Sequence, residues 1–283
     1  MFRFEIFART EVGCARERNE DSFLVLYLGT GESGLRPEAR NAALAAPGTI
    51  LGVCDGMGGA AGGDVASRLA LHSLDQVMRS HAPVTGIEGA EAALLQAVAT
   101  ANRTILDYAK AHPEKRGMGT TMTAAVLFSD EIAIVQVGDS RAYLKRGGTL
   151  QQLTMDQNVV GQMIASGRIS PDQARHVKQR NMLLEAIGVQ QRVGPDLVRV
   201  RVQHGDMLML CSDGLTGPLD DKTVLELMLR DDDPVRACRS LTEAACAAGG
   251  PDNVTVVIAR FSDESAPVPS DTAIAFTRRN AVA

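Results

Sequence analysis

The chain has 283 residues, of which 45% are hydrophobic and 22% charged, with no Trp and a formal net charge of −5. These values are typical of a globular protein with a sizeable core, and the acidic balance argues against a nucleic-acid partner. No apolar run reaches the roughly 18 to 20 residues of a membrane span, and the N-terminus lacks a signal-peptide hydrophobic region, so we expect a cytoplasmic protein without a membrane partner.

The first part of the chain predicts two strands followed by two helices. Apolar runs at 23–28 and 50–54 are typical of strands, and the Gly-, Ala- and Pro-bearing stretch 29–48 between them is typical of a loop. Apolar residues then recur at helical spacing over 64–78 and again over 87–108. Two amphipathic helices are therefore expected in succession.

In the middle of the chain the pattern of apolar residues changes from that of helices to that of short strands. Ser129-Asp130 and Gly147-Gly148 supply turns between apolar runs, which is typical of hairpins in an antiparallel sheet. The predicted strands cover 121–128, 132–137, 142–145 and 149–153.

The last part mixes helices and strands. Ser170-Pro171 and Asp233-Pro234 each combine an N-cap residue with Pro at the first helical position. Helices are predicted over 159–166, from 171, over 224–229 and from 234 to 248, and strands over 197–202, 207–211 and 254–261. Clustered strands and separated helix pairs favour an α+β layered sandwich, with one domain over 1–261 and an aperiodic, flexible tail over 262–283.

The five cysteines give no sign of a structural bridge or a zinc site. Their number is odd and no C-x-x-C pair occurs, so neither a disulfide framework nor a zinc knuckle is indicated. We interpret them as reduced, mostly buried thiols.

Five acidic motifs stand at the ends of predicted strands. Any one Asp-Gly or Asp-Asn pair is most simply a turn, but five carboxylate-bearing strand ends are more than turns require. The motifs are Arg16-x-x-Asn19-Glu20-Asp21, Asp55-Gly56-Met57-Gly58-Gly59, Gly138-Asp139-Ser140-Arg141, Ser212-Asp213-Gly214 and Pro251-Asp252-Asn253.

Carboxylates brought together from distant strand ends favour a polynuclear site for a hard cation. Mg²⁺ and Mn²⁺ prefer oxygen ligands, and two such ions about 3.5 to 4 Å apart can deprotonate a bridging water for attack on phosphorus. Gly56 lacks a Cβ, which lets its backbone approach a metal closely. Arg16 offers a planar fork suited to a phosphate, although an isolated surface Arg is equally often part of an ion pair.

In their order and spacing these motifs resemble the type 2C family of metal-dependent serine/threonine protein phosphatases, in its bacterial form. The resemblance extends over about 4–261. It rests on R-x-x-N-E-D at 16–21, D-G-M-G-G at 55–59, G-T-T at 119–121, G-D-S-R at 138–141, C-S-D-G-L at 211–215 and G-P-D-N-V-T at 250–255.

The resemblance implies an α-β-β-α sandwich of two antiparallel sheets flanked by helices, with two tightly bound Mn²⁺ or Mg²⁺ ions at one edge and possibly a third, weaker ion. It implies a monomeric enzyme acting on phosphoproteins made by a cognate serine/threonine kinase. Catalytic roles are implied for Arg16, Asp55 and Asp213, with Arg16 holding the substrate phosphate. The implied metal ligands are Glu20, Asp21 in the outer shell, Asp55 as the bridge, the Gly56 carbonyl, Asp139 at the third position, Asp213 and Asp252.

The chain departs from the family pattern in two places. Met57 stands where many eukaryotic members carry a His that could protonate the leaving group. The segment 176–180 replaces a shorter H-P-x-R, so substrate contacts and a third-metal ligand there, such as Asn181, are not assigned by the resemblance.

Alternative functions were weighed against these motifs. No cysteine has an Arg six positions later, as a cysteine phosphatase requires. Asp231-Asp232-Asp233-Pro234-Val235 matches the haloacid-dehalogenase pattern, but it follows a predicted helix instead of a buried strand. A phosphatase-like module that binds phosphoproteins with weak or no catalysis stays open, although such proteins usually lose a ligand acid. A phosphatase of an anti-sigma regulatory circuit usually carries sensor domains as well.

Overall fold

The computed structural model describes residues 3–34, 48–58, 62–170, 173, 177, 182–263 and 273–281, together with the backbone of 42–43. The strands in chain order are β1 (Arg3–Glu11), β2 (Ser22–Tyr27), β3 (Glu32–Ser33), β4 (Ala42–Ala43), β5 (Thr49–Cys54), β6 (Gly56–Met57), β7 (Gly119–Thr120), β8 (Met122–Phe128), β9 (Glu131–Val137), β10 (Arg141–Arg146), β11 (Thr149–Gln152), β12 (Asp196–Arg201), β13 (Met207–Cys211), β14 (Val254–Ser262) and β15 (Phe276–Asn280). The helices are α1 (Gly63–Ser80), α2 (Ile87–Ala111), α3 (Val159–Ala165), α4 (Asp213–Thr216), α5 (Asp221–Arg230) and α6 (Pro234–Ala247), and a 3₁₀ turn covers Pro113–Lys115.

Two antiparallel sheets form the middle layers. One has the order β11-β10-β13-β14-β1-β4 and the other the order β15-β12-β9-β8-β5-β2-β3, while β6 and β7 pair separately. Side chains from the inner faces of both sheets, including Phe4, Leu51, Ile134 and Val257, form one buried cluster between them. Burying each such side chain stabilises the fold by about 1.5 to 3 kcal/mol, so this cluster holds the two sheets face to face.

The helices cover the outer faces. Ala66, Ala70 and Leu74 keep the spacing of one helical face, and with α2 they pack on the seven-stranded sheet. On the opposite side, Val224 of α5 and Leu241 of α6 pack on the six-stranded sheet. The layers are thus helix, sheet, sheet and helix, which confirms the predicted sandwich.

The helix starts on the six-stranded side show the predicted capping. Asp233 accepts a hydrogen bond from the backbone N of Arg236 at 3.0 Å, with Pro234 at the first helical position. Asp220 caps α5 in the same way. Asp231 follows the end of α5, whereas the dehalogenase pattern requires its first Asp to follow a buried strand. Its side chain accepts a hydrogen bond from Ser240 at 2.7 Å.

Six strands were not predicted from the sequence: the longer β1 and β15, and the two-residue strands β3, β4, β6 and β7, of which β3 and β4 lie within the predicted loop 29–48. In β1, buried Phe4, Ile6 and Ala8 alternate with less buried residues, and the strand pairs with β14 along its whole length. After Ser262 a flexible tail was expected, and that expectation is wrong for Phe276–Asn280, which pairs with β12 at the edge of the sheet. An ion pair of 2.7 Å between Arg279 and Glu91 adds a side-chain anchor to this pairing.

No helix in the described part of the chain combines the length and the apolar character that crossing a bilayer requires.

Candidate metal centre

The acidic motifs converge on one open cleft of about 180 Å³ at an edge of the sandwich. Every predicted metal residue except Asp21 lines it. The lining residues are Arg16, Glu20, Asp55, Gly56, Met57, Gly58, Thr121, Asp139, Leu183, Asp213 and Asp252. Because these residues come from seven separate stretches of sequence, the cleft exists only when the sheets are assembled.

Asp55 and Asp139 follow the ends of two strands of the same sheet and share a hydroxyl support. The backbone N of Asp55 donates to Thr121 Oγ1 at 2.9 Å, and Thr121 Oγ1 lies 2.7 Å from Ser140 Oγ. Asp139 Oδ2 accepts a hydrogen bond of 3.1 Å from Asn158 Nδ2. Buried neutral groups therefore fix the backbone of Asp55 and the carboxylate of Asp139.

Gly56 brings the chain after Asp55 into contact with the Glu20 segment. Its backbone N donates to the Glu20 carbonyl at 3.2 Å. A Cβ on Gly56 would lie 2.1 Å from the Gly63 carbonyl oxygen and 2.6 Å from that of Glu20. No side chain can be accommodated there, so glycine is required for this close packing beside two proposed ligands.

Asp21 lies behind the cleft instead of on its surface. Its Oδ2 accepts hydrogen bonds of 2.7 Å from Ser212 Oγ and from Thr255 Oγ1. Its Oδ1 is buried and has no partner among the described residues. An unpaired buried carboxylate oxygen is costly, and one next to the proposed ligands Glu20 and Asp213 suits an acid that would orient water around a metal.

Arg16 and Asp252 form an ion pair at the mouth of the cleft, with 2.6 Å between Arg16 Nη2 and Asp252 Oδ2. The proposed phosphate-binding cation is thus engaged with a proposed metal ligand. The guanidinium is about half exposed, so this contact is weak enough to exchange for another anion.

Asn253 is a buried residue to which the sequence analysis gave no role. Its Oδ1 accepts from the backbone N of Glu20 at 2.8 Å, and its Nδ2 donates to the carbonyls of Val12 and Arg18. It therefore fixes the loop that carries both Arg16 and Glu20. The Asp252-Asn253 motif contained the signal for this role, because an Asn side chain can both donate and accept hydrogen bonds and can thereby fix the backbone of a loop.

The carboxyl groups repel each other in a poorly solvated place. Burial, followed by the charges of Asp21 and Asp213, raises the pKa of Asp55 well above its usual range. Burial raises the pKa of Asp21 and of Asp139 to about 7, and it also raises the pKa of Asp213 and Glu20. Arg16 is the single cationic residue among those lining the described cleft, so the cluster needs added cations to ionise fully.

The oxygen atoms that line the cleft are suited to hard divalent cations, although they are not arranged in a complete coordination geometry. Among the described residues, no three His, Cys, Asp or Glu side chains already stand in metal-binding geometry. One proposed ligand, Asp252, is instead paired with Arg16. The cleft lining is rich in oxygen donors and contains neither His nor Cys, which favours Mg²⁺ or Mn²⁺ over zinc.

Two apolar side chains complete the lining. Met57 is partly exposed and offers no proton to a leaving group, and Leu183 contributes from the segment after α3.

The candidate residues His176 and Asn181 lie outside the described residues. Cys54 and Cys211, next to the ligands in sequence, are buried free thiols whose pKa values are raised by burial.

These pKa shifts predict how stability depends on pH when metal is absent. Asp21 and Asp139 stay protonated in the folded chain up to about pH 7, whereas in the unfolded chain they ionise near pH 4. The folded state then binds more protons in this window, so the free energy of unfolding contributed by these groups falls as pH rises from about 4 to 7. Urea unfolding of chelator-treated protein across this range measures it.

The matched control for this experiment is Asp139→Asn, which removes one of the titrating groups. The decline with pH should be shallower in that variant than in the parent chain. A parent chain whose metal-free stability, relative to Asp139→Asn, rises between pH 4 and 7 would contradict the assignment of these pKa shifts.

The sequence of the chain matches a known protein family and several characterised relatives. Residues 41–244 match the sequence model of a family described as protein phosphatase 2C. The serine/threonine protein phosphatase PstP of Mycobacterium tuberculosis is 37% identical over 257 residues, which cover 90% of this chain and 45% of PstP. The serine/threonine phosphatase Stp of Listeria welshimeri is 36% identical over 74% of this chain and 83% of its own length.

A solved structure agrees with the sequence comparisons. The crystal structure of the PstP catalytic domain in complex with two manganese ions superposes with a TM-score of 0.76 at 33% identity. The superposition covers 93% of this chain and all of that chain. The chain thus spans less than half the length of the full PstP protein and matches its catalytic domain.

Proposed function

Because this chain belongs to the protein phosphatase 2C family, we propose that it is a metal-dependent phosphatase that releases phosphate from phosphoserine and phosphothreonine in proteins. The observation that carries the proposal is the convergence of Glu20, Asp55, Asp213 and Asp252 on one cleft with Arg16 at its mouth. The relatives bear the names of serine/threonine phosphatases, which supports this substrate class.

Two Mn²⁺ or Mg²⁺ ions are proposed as the resident cofactors. Asp55 would contact both; Glu20 and the Gly56 carbonyl would hold one, and Asp213 and Asp252 the other. When bound, such a pair supplies a strong oxygen nucleophile at neutral pH and neutralises charge on the phosphoryl group. The manganese complex of the PstP catalytic domain supports this count, and a third, weaker position at Asp139 rests on the family resemblance.

Arg16 is proposed to bind the substrate phosphate. In the described structure it pairs with Asp252, and a phosphate offers its guanidinium a bidentate partner of higher charge. Exchange of one anion for the other frees Asp252 for its own role as a ligand. Asn253 would support both states, because its side chain holds the backbone at Val12 and Glu20 on either side of Arg16.

The test of the proposed function is phosphate release from matched peptides that differ only in the phosphorylated residue. With Mn²⁺ present, phosphothreonine and phosphoserine peptides should be hydrolysed and the phosphotyrosine peptide much more slowly. Binding of phosphopeptide without any hydrolysis would favour the alternative, a catalytically weak phosphatase-like module that recognises phosphoproteins.

The remaining partners are proposals of the same kind. We place the chain as a monomer in a reducing, cytoplasmic setting, where its substrates are products of a cognate serine/threonine kinase. All five cysteines are free thiols, which suits that compartment.

Arg16→Ala should weaken substrate binding more than metal binding. Loss of the guanidinium removes a phosphate contact made partly in the ground state, so KM should rise clearly, by roughly tenfold for a charge-assisted contact. Mn²⁺ affinity should stay the same or increase, because Asp252 loses its competing partner. Steady-state kinetics and calorimetry measure the two effects.

Arg18→Ala is the matched control, since Arg18 lies exposed in the same loop. It should leave KM near that of the parent chain. A collapse of Mn²⁺ binding in Arg16→Ala would show that this arginine supports the metal ligands and does not hold the phosphate.

Asp139→Ala should affect substrates with poor leaving groups most. If Asp139 serves a third ion and the central ligands are untouched, the tight metal sites should stay occupied. Met57 offers no proton, so protonation of a Ser or Thr alkoxide depends on other groups, whereas p-nitrophenolate needs little protonation. Hydrolysis of a phosphoprotein should therefore fall further than that of p-nitrophenyl phosphate. Equal losses on both substrates would contradict this role.

A further inference from the structure

Two of the five free thiols, Cys14 and Cys246, lie side by side next to the loop that carries Arg16. Cys14 Sγ donates a hydrogen bond of 3.7 Å to the Cys246 carbonyl oxygen. A Cβ built on Gly250 would lie 2.9 Å from Cys14 Sγ and 3.2 Å from the Cys246 Cα. The absence of a side chain at Gly250 therefore leaves the space in which these two residues, the thiol pair, meet.

The backbone on both sides of the thiol pair is held by hydrogen bonds. The N atoms of Cys14 and Ala15 donate to the Gly250 carbonyl at 2.7 and 3.2 Å. The N of Gly250 donates to the Ala245 carbonyl at 3.0 Å and closes the end of α6. A disulfide requires Cα atoms within about 7 Å, and the Cys14 sulfur already lies 3.7 Å from the Cys246 carbonyl oxygen, so the two residues are neighbours in the fold before any bridge forms.

Solvent access separates the thiol pair from the other cysteines. Cys14 is exposed and Cys246 is partly exposed, whereas Cys54, Cys211 and Cys238 are buried. Burial, followed by the nearby Cys14 thiol, raises the pKa of Cys246, and burial raises the pKa of Cys54 well above its usual range. A small oxidant therefore meets Cys14 first, with Cys246 in place to resolve the product.

We propose that Cys14 and Cys246 form a reversible disulfide that restrains the Arg16 loop. The oxidant is a low-molecular-weight disulfide. The Cys14 thiolate attacks one of its sulfurs, the S–S bond of the oxidant breaks, and one small thiolate leaves. The Cys246 thiolate then attacks Cys14 Sγ, forms the protein disulfide and expels the second small thiolate. Two protein thiols are oxidised by two electrons in total, and the small disulfide is reduced to two thiols.

The bridge would act on substrate binding through its position. Cys14 shortly precedes Arg16, and Cys246 lies in the last turn of α6, ahead of the turn that leads to Asp252. Cross-linking them holds the loop in the arrangement in which Arg16 Nη2 contacts Asp252 Oδ2. The oxidised protein should therefore exchange this contact for a phosphate less readily, and its KM for phosphopeptide should rise. This consequence rests on the proposed phosphatase function.

Peptide mapping tests the bridge independently of activity. The full chain is incubated with glutathione disulfide, free thiols are alkylated, and the non-reduced digest is analysed by mass spectrometry. A linked peptide pair containing Cys14 and Cys246, reversed by dithiothreitol and absent in Cys14→Ser and Cys246→Ser, is expected. A mixed disulfide on Cys14 that never resolves, or a bridge to another cysteine, would overturn the proposal.

Two further readouts connect the bridge to the loop. The cross-linked protein should unfold at a higher temperature by several degrees, since the bridge restricts the unfolded chain. Its KM for phosphopeptide should increase and return after reduction, while Cys14→Ser should not respond to the oxidant. Fully cross-linked protein with an unchanged KM would refute the effect on Arg16. Absence of hydrolysis in the reduced protein would instead count against the proposed function and leave the mapping result valid.

Discussion

Asp55→Asn should lower phosphatase turnover by at least about two orders of magnitude, because the nucleophile depends on the metals that this residue is proposed to bridge. Asp55 lies at the floor of the cleft, and its backbone is held by Thr121, so the substitution changes one atom of the side chain without disturbing its support. Asp213→Asn should have an effect of similar size. Turnover of a phosphothreonine peptide with saturating Mn²⁺ measures both losses.

Stability separates a lost ligand from a damaged fold. The pKa of Asp55 is raised through burial and neighbouring carboxylates, so the ionised residue destabilises the metal-free chain and its neutral amide should stabilise it. We expect metal-free Asp55→Asn to unfold at a higher temperature than the parent and to lose most of the Mn²⁺-induced stabilisation. Asp75→Asn, which removes a surface partner of Arg79, is the control and should keep normal turnover. Near-normal activity in Asp55→Asn would show that the ligand assignment is wrong.

Removal of divalent metal should abolish hydrolysis while the fold survives. The clusters between the sheets and beneath the helices consist of apolar side chains, so the sandwich does not depend on the ions. Circular dichroism of the chelator-treated protein should therefore stay near that of the loaded protein. Activity should fall to the background rate and return on addition of Mn²⁺ or Mg²⁺.

Metal content has to be measured on the same sample. Elemental analysis showing less than one equivalent of divalent ion together with full activity would contradict the metal-dependent chemistry. Loss of activity accompanied by unfolding would show that the ions hold the fold together, contrary to the expectation that the apolar clusters alone maintain it.

Much of the fold follows from local patterns in the sequence. The apolar run 207–211 has the bounds of β13, and α1 begins one residue before the predicted start at Asp64. β1 was missed because charged Arg3, Glu5 and Arg9 interrupt its apolar residues, so its longest apolar run, Ile6–Ala8, is short. Phe276–Asn280 was missed because its residues are mostly exposed, and the strand is defined by pairing with β12 instead of by its own composition.

The candidate site was predictable in its residues but not in its contacts. The acidic motifs mark Glu20, Asp55, Asp139, Asp213 and Asp252, and the structure brings all of them to one cleft. The partners of Asp21, by contrast, lie 191 and 234 residues away in sequence. No local pattern encodes such distances, because they result from the packing of β13 and β14 beside the Asp21 loop.

The central claim is that this carboxylate cluster holds two divalent cations, and anomalous diffraction at the manganese edge tests it most directly. Crystals of the chain grown with Mn²⁺ should show two strong anomalous peaks in the cleft, both next to Asp55, with Glu20 beside one and Asp213 and Asp252 beside the other. Arg16 should then have left Asp252. Crystals soaked in Mn²⁺ that show no peak within reach of Asp55, with the Arg16–Asp252 ion pair intact, would contradict the account.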